Sequence, residues 1–482
     1  MRRTAFRFST ATVELCFGLR VCCMHFIYLN TLLADGVKVI RIFGDNLALG
    51  QLVLRRVDQL PYFVGPFLAS WALLGHLRHG DWFSRRRIIA AGGLLLATQT
   101  LVFGFLIAVS YGLIVPQAKP LSTDFVSFYA AGRLAATGWP ELAYDQSAHY
   151  EAEQDATETG IAYQYFFYPP VFLLLCSALS RLPYLAAYVV FQAATLTFYL
   201  IVIRGILKEA GSAWLIPVLA FPAVFWTLGY GQNAFLTAAL FGGATLLLDK
   251  RPIAAGILFG MLCYKPHFGL LVPLALAAGR QWKAFVAAAV SVAGWIAISL
   301  AVFGWATWHA YLTAFFSSGE ISDYGLVHFN PAGFISLFSA VRLAGFSAGL
   351  AHAVQLAATA FAVVFVCWIW WQDCSLPVRS AALAAGTLIA VPFAVLYDLM
   401  LATIAMAWLV RTGGERGFLR YEKPVIAGIY LIPLMALHVG TALRIPLGPL
   451  PAVALAALRM VRASSEVSAA TRSAPEQGAI VD

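Results

Sequence analysis

The stretch that decides the fold is SRRRIIAAGGLLLATQTLVFGFLIAVSYGLIVPQAKPLSTDFVSFYAAGR, Ser84–Arg133. Three arginines stand before an apolar run, about residues 88–114, that is long enough to cross a bilayer. Basic residues gather at the cytoplasmic ends of such spans, so Arg85, Arg86 and Arg87 predict a cytoplasmic start. The segment after the span then lies on the outer side. A lone carboxylate, Asp124, opens its first helical pattern. Phe125, Phe128, Tyr129 and Leu134 fall on one helical face, with Ser127 and Arg133 off it. This pattern predicts an amphipathic helix lying on the membrane surface, with Asp124 at its N-terminus, where the helix dipole favours negative charge. Ser-Thr-Asp before an apolar run equally fits a plain N-cap. Both readings of Asp124 stand at this point.

Composition sets the class. The chain is 61% hydrophobic and 11% charged, with a mean hydropathy of +0.79, beyond the range of soluble domains. Its formal net charge of +9 does not point to nucleic acid, because the basic residues cluster at the ends of apolar runs. Seven cysteines, Cys16, Cys22, Cys23, Cys176, Cys263, Cys367 and Cys374, follow neither disulfide nor metal spacing.

Residues 1–87 form a poorly defined N-terminal extension, read as cytoplasmic, with an apolar piece at 61–78. Beyond the first span come apolar runs near 184–203, 213–229, 232–248, 283–303, 348–371, 379–395, 397–410, 423–441 and 446–461. Half-length runs at 252–264 and 267–279 flank YKPH, and PPVFLLLCSALSRLP is too short to cross. The basic turns RGILK, DKRP, GRQWK and RTGGERGFLRYEK then fall on one side. The expectation is an all-α polytopic membrane protein of about 12 transmembrane helices with both ends cytoplasmic. Its membrane domain runs from 88 to 462, with outer loops at about 115–169 and 304–346 and a disordered cytoplasmic tail at 463–482.

Several polar residues are out of place in so apolar a chain. Lys265 and His267 sit between two half-length runs, as a membrane-depth site or as a snorkelling interfacial pair. GYGQN, Gly229–Asn233, is a polar turn between apolar runs, read either as a site or as an ordinary helical hairpin. Asp398, in PFAVLYDLM, has no neighbouring base and reads as a functional acid or an exposed turn residue. His328 and Asn330 lie in the second outer loop, where a histidine is also simply exposed. Arg133, Trp305 and Trp308 add a cation and two aromatic surfaces on the same side. Acids, bases and aromatic rings in one outer cluster suit sugar and lipid-phosphate chemistry.

These motifs carry a resemblance. DFVSFYAAGRLAATG, FFYPPVFLLL with SRLPY, the block GYGQNAFLTAALFGGATLLLDKRPIAAGILFGMLCYKPHFGLLVPLALAAGRQW, and PFAVLYDLMLA together resemble glycosyltransferase family 87, over about residues 88–410. The resemblance implies a GT-C-type membrane enzyme of the cell envelope that uses a polyprenyl-phosphate sugar. Such enzymes are similar to the polyprenol-phosphate-mannose-dependent mannosyltransferases. It places the catalytic acid on Asp124, the Gly-Gln-Asn element on Gly231, Gln232 and Asn233, and the Lys-Pro element on Lys265 and Pro266. One departure stands out: mannosyltransferases of this kind tend to carry histidine where this chain has Tyr397 and Asp398.

The expected reaction follows. The chain has no Asp-x-Asp metal site and no dinucleotide fingerprint, so no metal or cofactor is expected. A hexose, mannose first, would pass from a polyprenyl-phosphate sugar to a lipid or glycan acceptor by one inverting displacement. Asp124 would serve as general base. Lys265, His267 and Arg133 would hold the donor phosphate, and Gln232, Asn233, Tyr397, Asp398 and His328 the substrates. The enzyme would sit in the plasma membrane as a multi-pass hexosyltransferase with its site facing away from the cytoplasm. A transporter or lipid-linked-sugar flippase also uses broken helices and midplane polar groups, and is the alternative. No repeat of the first half in the second supports it.

Overall fold

The computed structural model describes residues 80, 82–115, 120–208, 211–317, 330–372 and 374–473. Almost all of the 1–87 extension, together with His328, lies outside them. Among the described residues the chain is all-helical, with only isolated bridges such as Phe334 to Val395.

Three short helices form the centre. Ala234–Leu247, Leu376–Ala390 and the first ten residues of Met400–Arg416 are buried on nearly every side, as expected of helices that are apolar all round. Their small residues permit close approach. A Cβ at Gly242 would meet Ile404 and Val202 within 3 Å, and one at Gly386 would lie 2.4 Å from Val366. Larger rings seal the remaining space, Trp370 and Trp408 among the biggest fully buried side chains.

Longer helices surround this core. Among the described residues five are long and apolar enough to cross a membrane: Arg85–Val109, Tyr184–Leu207, Trp282–Phe316, Ala348–Trp371 and Glu422–Leu443. The protein is therefore a helical membrane protein, but the expected count of about 12 spans is not supported. The physical reason is length. Ala234–Leu247 has 14 residues and Leu376–Ala390 has 15, a rise of about 21–23 Å against a hydrocarbon core of about 30 Å. Hydropathy registers such helices as strongly as true spans because they lie in the protein interior.

Other boundaries also move. The run at 213–229 is two helices, Leu215–Leu219 and Pro222–Tyr230, divided just before Pro222. The expected outer loop from 304 begins as helix, since Trp282–Ser317 resumes after a break at Gly304 with φ 75°. Of the tail expected to be disordered, 463–473 is helical, within Leu450–Ser473, and 474–482 lies outside the described residues. Burial of Ala463 and a bidentate Arg462–Glu422 ion pair hold that helix against Glu422–Leu443.

The Phe125–Ala136 helix is not a surface helix. Every residue from Phe125 to Gly132 is buried, Ser127 included. Phe125 stacks on Phe191 and meets Tyr184 and Tyr188 edge-on or tilted, with centroids 5.6–5.8 Å away. At about 0.5–1.5 kcal/mol per aromatic pair beyond simple burial, that ring set helps hold the helix inside the protein. A Cβ at Gly132 would lie 2.1 Å from the Cys176 carbonyl oxygen, so this glycine lets the helix press against Pro170–Leu179.

Candidate active site

Asp124 stands at the N-terminal boundary of the Phe125–Ala136 helix with helical backbone angles, φ −58° and ψ −18°, and its side chain makes no capping bond. The N-cap reading therefore fails. Its Oδ2 instead accepts a hydrogen bond of 2.8 Å from Gln232 Nε2. Local sequence explains how Gln232 arrives there. Gly231 ends Pro222–Tyr230 in the left-handed region, φ 68°, where a residue with a side chain is strained. A Cβ at that point would also lie 2.7 Å from Phe125 Cβ. The Gly-Gln-Asn element is thus a helix end pressed against the residue after Asp124, not an ordinary hairpin.

The network continues from Gln232. Its Oε1 accepts from Tyr168 Oη at 3.4 Å, and its carbonyl oxygen accepts from Gln192 Nε2 at 3.1 Å. The next residue, Asn233, is fully buried and accepts from Lys265 Nζ through Oδ1 at 3.3 Å. Lys265 Nζ also donates to Asp398 Oδ1 at 2.7 Å. Asp398 Oδ2 accepts the Val395 amide at 3.0 Å.

Two expectations are corrected here. Lys265 and Asp398 are neither a snorkelling lysine nor an exposed turn acid; their side chains are 5% and 3% exposed and form a buried ion pair. The base that Asp398 lacks locally comes from 133 residues earlier. Tyr397 is half-buried beside the pair, its ring 5.6 Å from the Lys265 ammonium, with Phe268 at 4.8 Å on another side.

The structure thus brings together Asp124, Gln232, Asn233, Lys265, Tyr397 and Asp398. It does not gather the other candidates. His267 and Arg133 are exposed. Arg133 is in the last turn of the helix that Asp124 begins, about 13 Å of helix rise away. Asn330 caps the Pro331–Gly333 turn and donates to Thr441 at 2.8 Å. Trp305 is exposed, and Trp308 donates to Ser299 at 3.3 Å.

The two acids differ in environment. Asp398 is paired with the Lys265 ammonium. Asp124 is half-buried, keeps some surface, and among the described residues has no cation bonded to it. Loss of water around it pushes its carboxyl up to about 6, opposed in part by the Gln232 bond.

Behind Asp124 lies a pair that sequence reasoning missed, His149 and Glu153 in the Gln146–Ala156 helix, both fully buried. His149 Nε2 is 3.0 Å from the Ser127 carbonyl oxygen, one turn inside the Asp124 helix. Glu153 Oε2 accepts the Gln164 amide at 3.1 Å, on the extended segment that leads to Tyr168. Burial pushes Glu153 up to about 9, with Asp124 adding to the rise, and pushes His149 down to about 4. Both are therefore uncharged near neutrality. The signal available in the sequence was the four-residue spacing of His149 and Glu153, inside a span otherwise read only as an acidic loop.

The model for "Glycosyltransferase family 87" matches residues 166–397. This span includes Tyr168, Gln232, Asn233, Lys265 and Tyr397; Asp124 lies before it and Asp398 just after it. No curated protein and no solved structure gives a match.

Proposed function

From a chain that carries a glycosyltransferase family 87 domain, of the GT-C type of membrane glycosyltransferases, we propose that Asp124 is the general base of sugar transfer from a polyprenyl-phosphate hexose to a lipid or glycan hydroxyl. The observation that carries this reading is the contrast between the two acids. Asp124 is partly accessible, free of a bonded cation and oriented by Gln232, whereas Asp398 is committed to Lys265.

In the proposed step the acceptor oxygen attacks the anomeric carbon from the face opposite the phosphate. The C–O bond to phosphate breaks, the lipid phosphate leaves with the bonding pair, and the hydroxyl proton passes to Asp124. One displacement inverts the anomeric centre. Lys265 meets the developing phosphate charge. Two of its three N–H donors are engaged by Asp398 and Asn233, leaving one for the donor. Asp398 thus serves by holding Lys265 in place. His267 and Arg133, both exposed and apart from the gathered residues, are given no role in this step. Gln232, Asn233 and Tyr397 line the path of the sugar. Mannose is the first hexose to test, the plasma membrane the proposed location, and the side away from the cytoplasm the proposed face. Nothing observed favours a transporter or flippase.

Purified protein incubated with radiolabelled polyprenyl-phosphate hexoses and membrane lipid acceptors tests the reading. Transfer is expected with one of the donors. Asp124→Asn is expected to lower it on the order of a hundredfold, with folding intact because no capping bond is lost. Transfer at the normal rate by Asp124→Asn would sink the assignment.

A further inference from the structure

The Pro252–Met261 and Trp282–Ser317 helices run side by side in the same direction. A Cβ at Gly256 would lie 2.4 Å from the Ala284 carbonyl oxygen, and one at Gly260 2.5 Å from Ser291 Cβ. This Gly-x-x-x-Gly approach, a common device between membrane helices, leaves a groove of about 860 Å³ beside the crossing. Small residues, Ala287, Ser291 and Gly294, line it together with the bulkier Ile253, Trp282 and Val290. The last three are 61%, 57% and 66% exposed, so no described part of the protein covers them.

One end of the groove is strongly basic. Lys283 lines it. The packing of Gly256 on Ala284 and Ala287 puts Arg251, which precedes Pro252, level with Lys283. Lys250 stands next to Arg251, and all three cations are exposed, while the nearby Arg280 lies over the Trp371 ring at 5.5 Å. The one acid in these two turns, Asp249, points to Arg379 at 3.8 Å. An apolar trench that ends at Lys283 and Arg251 matches a lipid chain under an anionic headgroup, since each basic side chain near a membrane surface attracts such a headgroup.

Direction decides which lipid. Arg251 precedes the Pro252–Met261 helix and Lys265 follows it, about 20 Å of helix rise apart. A sugar donor must bring its phosphate to the Lys265 end, where Asp124 lies through Asn233 and Gln232. Lying in this groove, it would leave the basic end without a phosphate. We infer that the groove between Pro252–Met261 and Trp282–Ser317 holds an anionic phospholipid, its headgroup on Arg251 and Lys283, as a bound lipid separate from the donor. Only the separation from the donor rests on the glycosyltransferase reading.

The test is native mass spectrometry of the full chain in detergent, offered phosphatidylglycerol, phosphatidylcholine or polyprenyl phosphate. Phosphatidylglycerol is expected to survive delipidation in preference to phosphatidylcholine. Lys283→Gln should weaken its retention about fivefold, the effect of one interfacial cation. Val290→Trp, at a position facing outward, should fill the groove and abolish retention with the thermal melt unchanged. Equal retention of the two phospholipids, or no effect of Lys283→Gln, overturns the inference. So does polyprenyl phosphate binding that Val290→Trp abolishes while phosphatidylglycerol binding survives. Failure of the glycosyltransferase reading would appear differently, as absence of sugar transfer from every donor with phosphatidylglycerol retention unaffected.

Discussion

Asp124 and Asp398 both precede apolar helices, yet their surroundings give them different work, and pH should separate them. A general base, the role proposed for Asp124, must be ionised to act. With its carboxyl pushed up to about 6 by burial, Asp124 is competent above that value and protonated below it, so transfer should fall as pH drops through about 6. Gln232 donates to the ionised form and thereby opposes the upward push. Gln232→Leu removes that donor, so the acidic limb of the rate profile should move to higher pH, not lower. A pH–rate profile of the two proteins measures both, and an unmoved limb would remove Gln232 from the mechanism. Asp398→Asn should act on stability first, because it leaves the Lys265 ammonium buried without its counter-charge. A loss of about 3–5 kcal/mol is the usual consequence of breaking such a pair from one side, readable as a lowered melting temperature. Asp398 looked unpaired in sequence because its partner lies 133 residues away; no local pattern encodes a contact of that range.

At the scale of elements, the long outer helices were legible and the short inner ones were not. Tyr184–Leu207 and Ala348–Trp371 stand within a few residues of their expected bounds, since length and hydropathy together identify a span. Ala234–Leu247 and Leu376–Ala390 are equally apolar, and periodicity cannot tell burial in protein from burial in lipid. The Phe125–Ala136 helix was misplaced for a related reason. Its polar-looking face carries Ser127, which is buried under His149. That contact joins the Gln146–Ala156 helix to the site and makes a stability prediction. Glu153 has a folded value of about 9 against an ordinary 4.5, so the folded state binds the proton more tightly than the unfolded chain. Its contribution is fully present below about 4.5 and is lost as pH rises towards 9. His149, held down at about 4, works in the opposite direction between about 4 and 6.5. Glu153→Gln imitates the neutral acid and should melt above the wild type at pH 8, with the gap closing at pH 5. A pH-independent gap would mean that Glu153 is already ionised in the folded protein. Gly231→Ala tests the turn itself. Its left-handed φ and the close approach of Phe125 should cost about 1–2 kcal/mol and draw Gln232 off Asp124.

Across the whole molecule, the candidate site is built where distant segments meet at one end of the short inner helices. Asn233 and Lys265 stand at that end of Ala234–Leu247 and Pro252–Met261, and Lys250 and Arg251 stand at the other. Most members of the site were legible as separate motifs, but their convergence was not, because Gln232 reaches Asp124 across 108 residues. The geometry also makes orientation testable without knowledge of the substrate. Ser147 lies at the exposed start of the Gln146–Ala156 helix, on the site's side, and Lys250 is exposed at the basic end. Cysteine placed at each position reports on one face. With the arginines that open Arg85–Val109 on the cytoplasmic side, as basic flanks generally are, Ser147→Cys should react with a membrane-impermeant maleimide in intact cells. Lys250→Cys should react only after permeabilisation, with the unsubstituted chain as the background for its own cysteines. The reverse pattern would turn the site to the cytoplasm and require a donor presented there. Labelling of both positions in intact cells would contradict the membrane crossing of the helices that separate them.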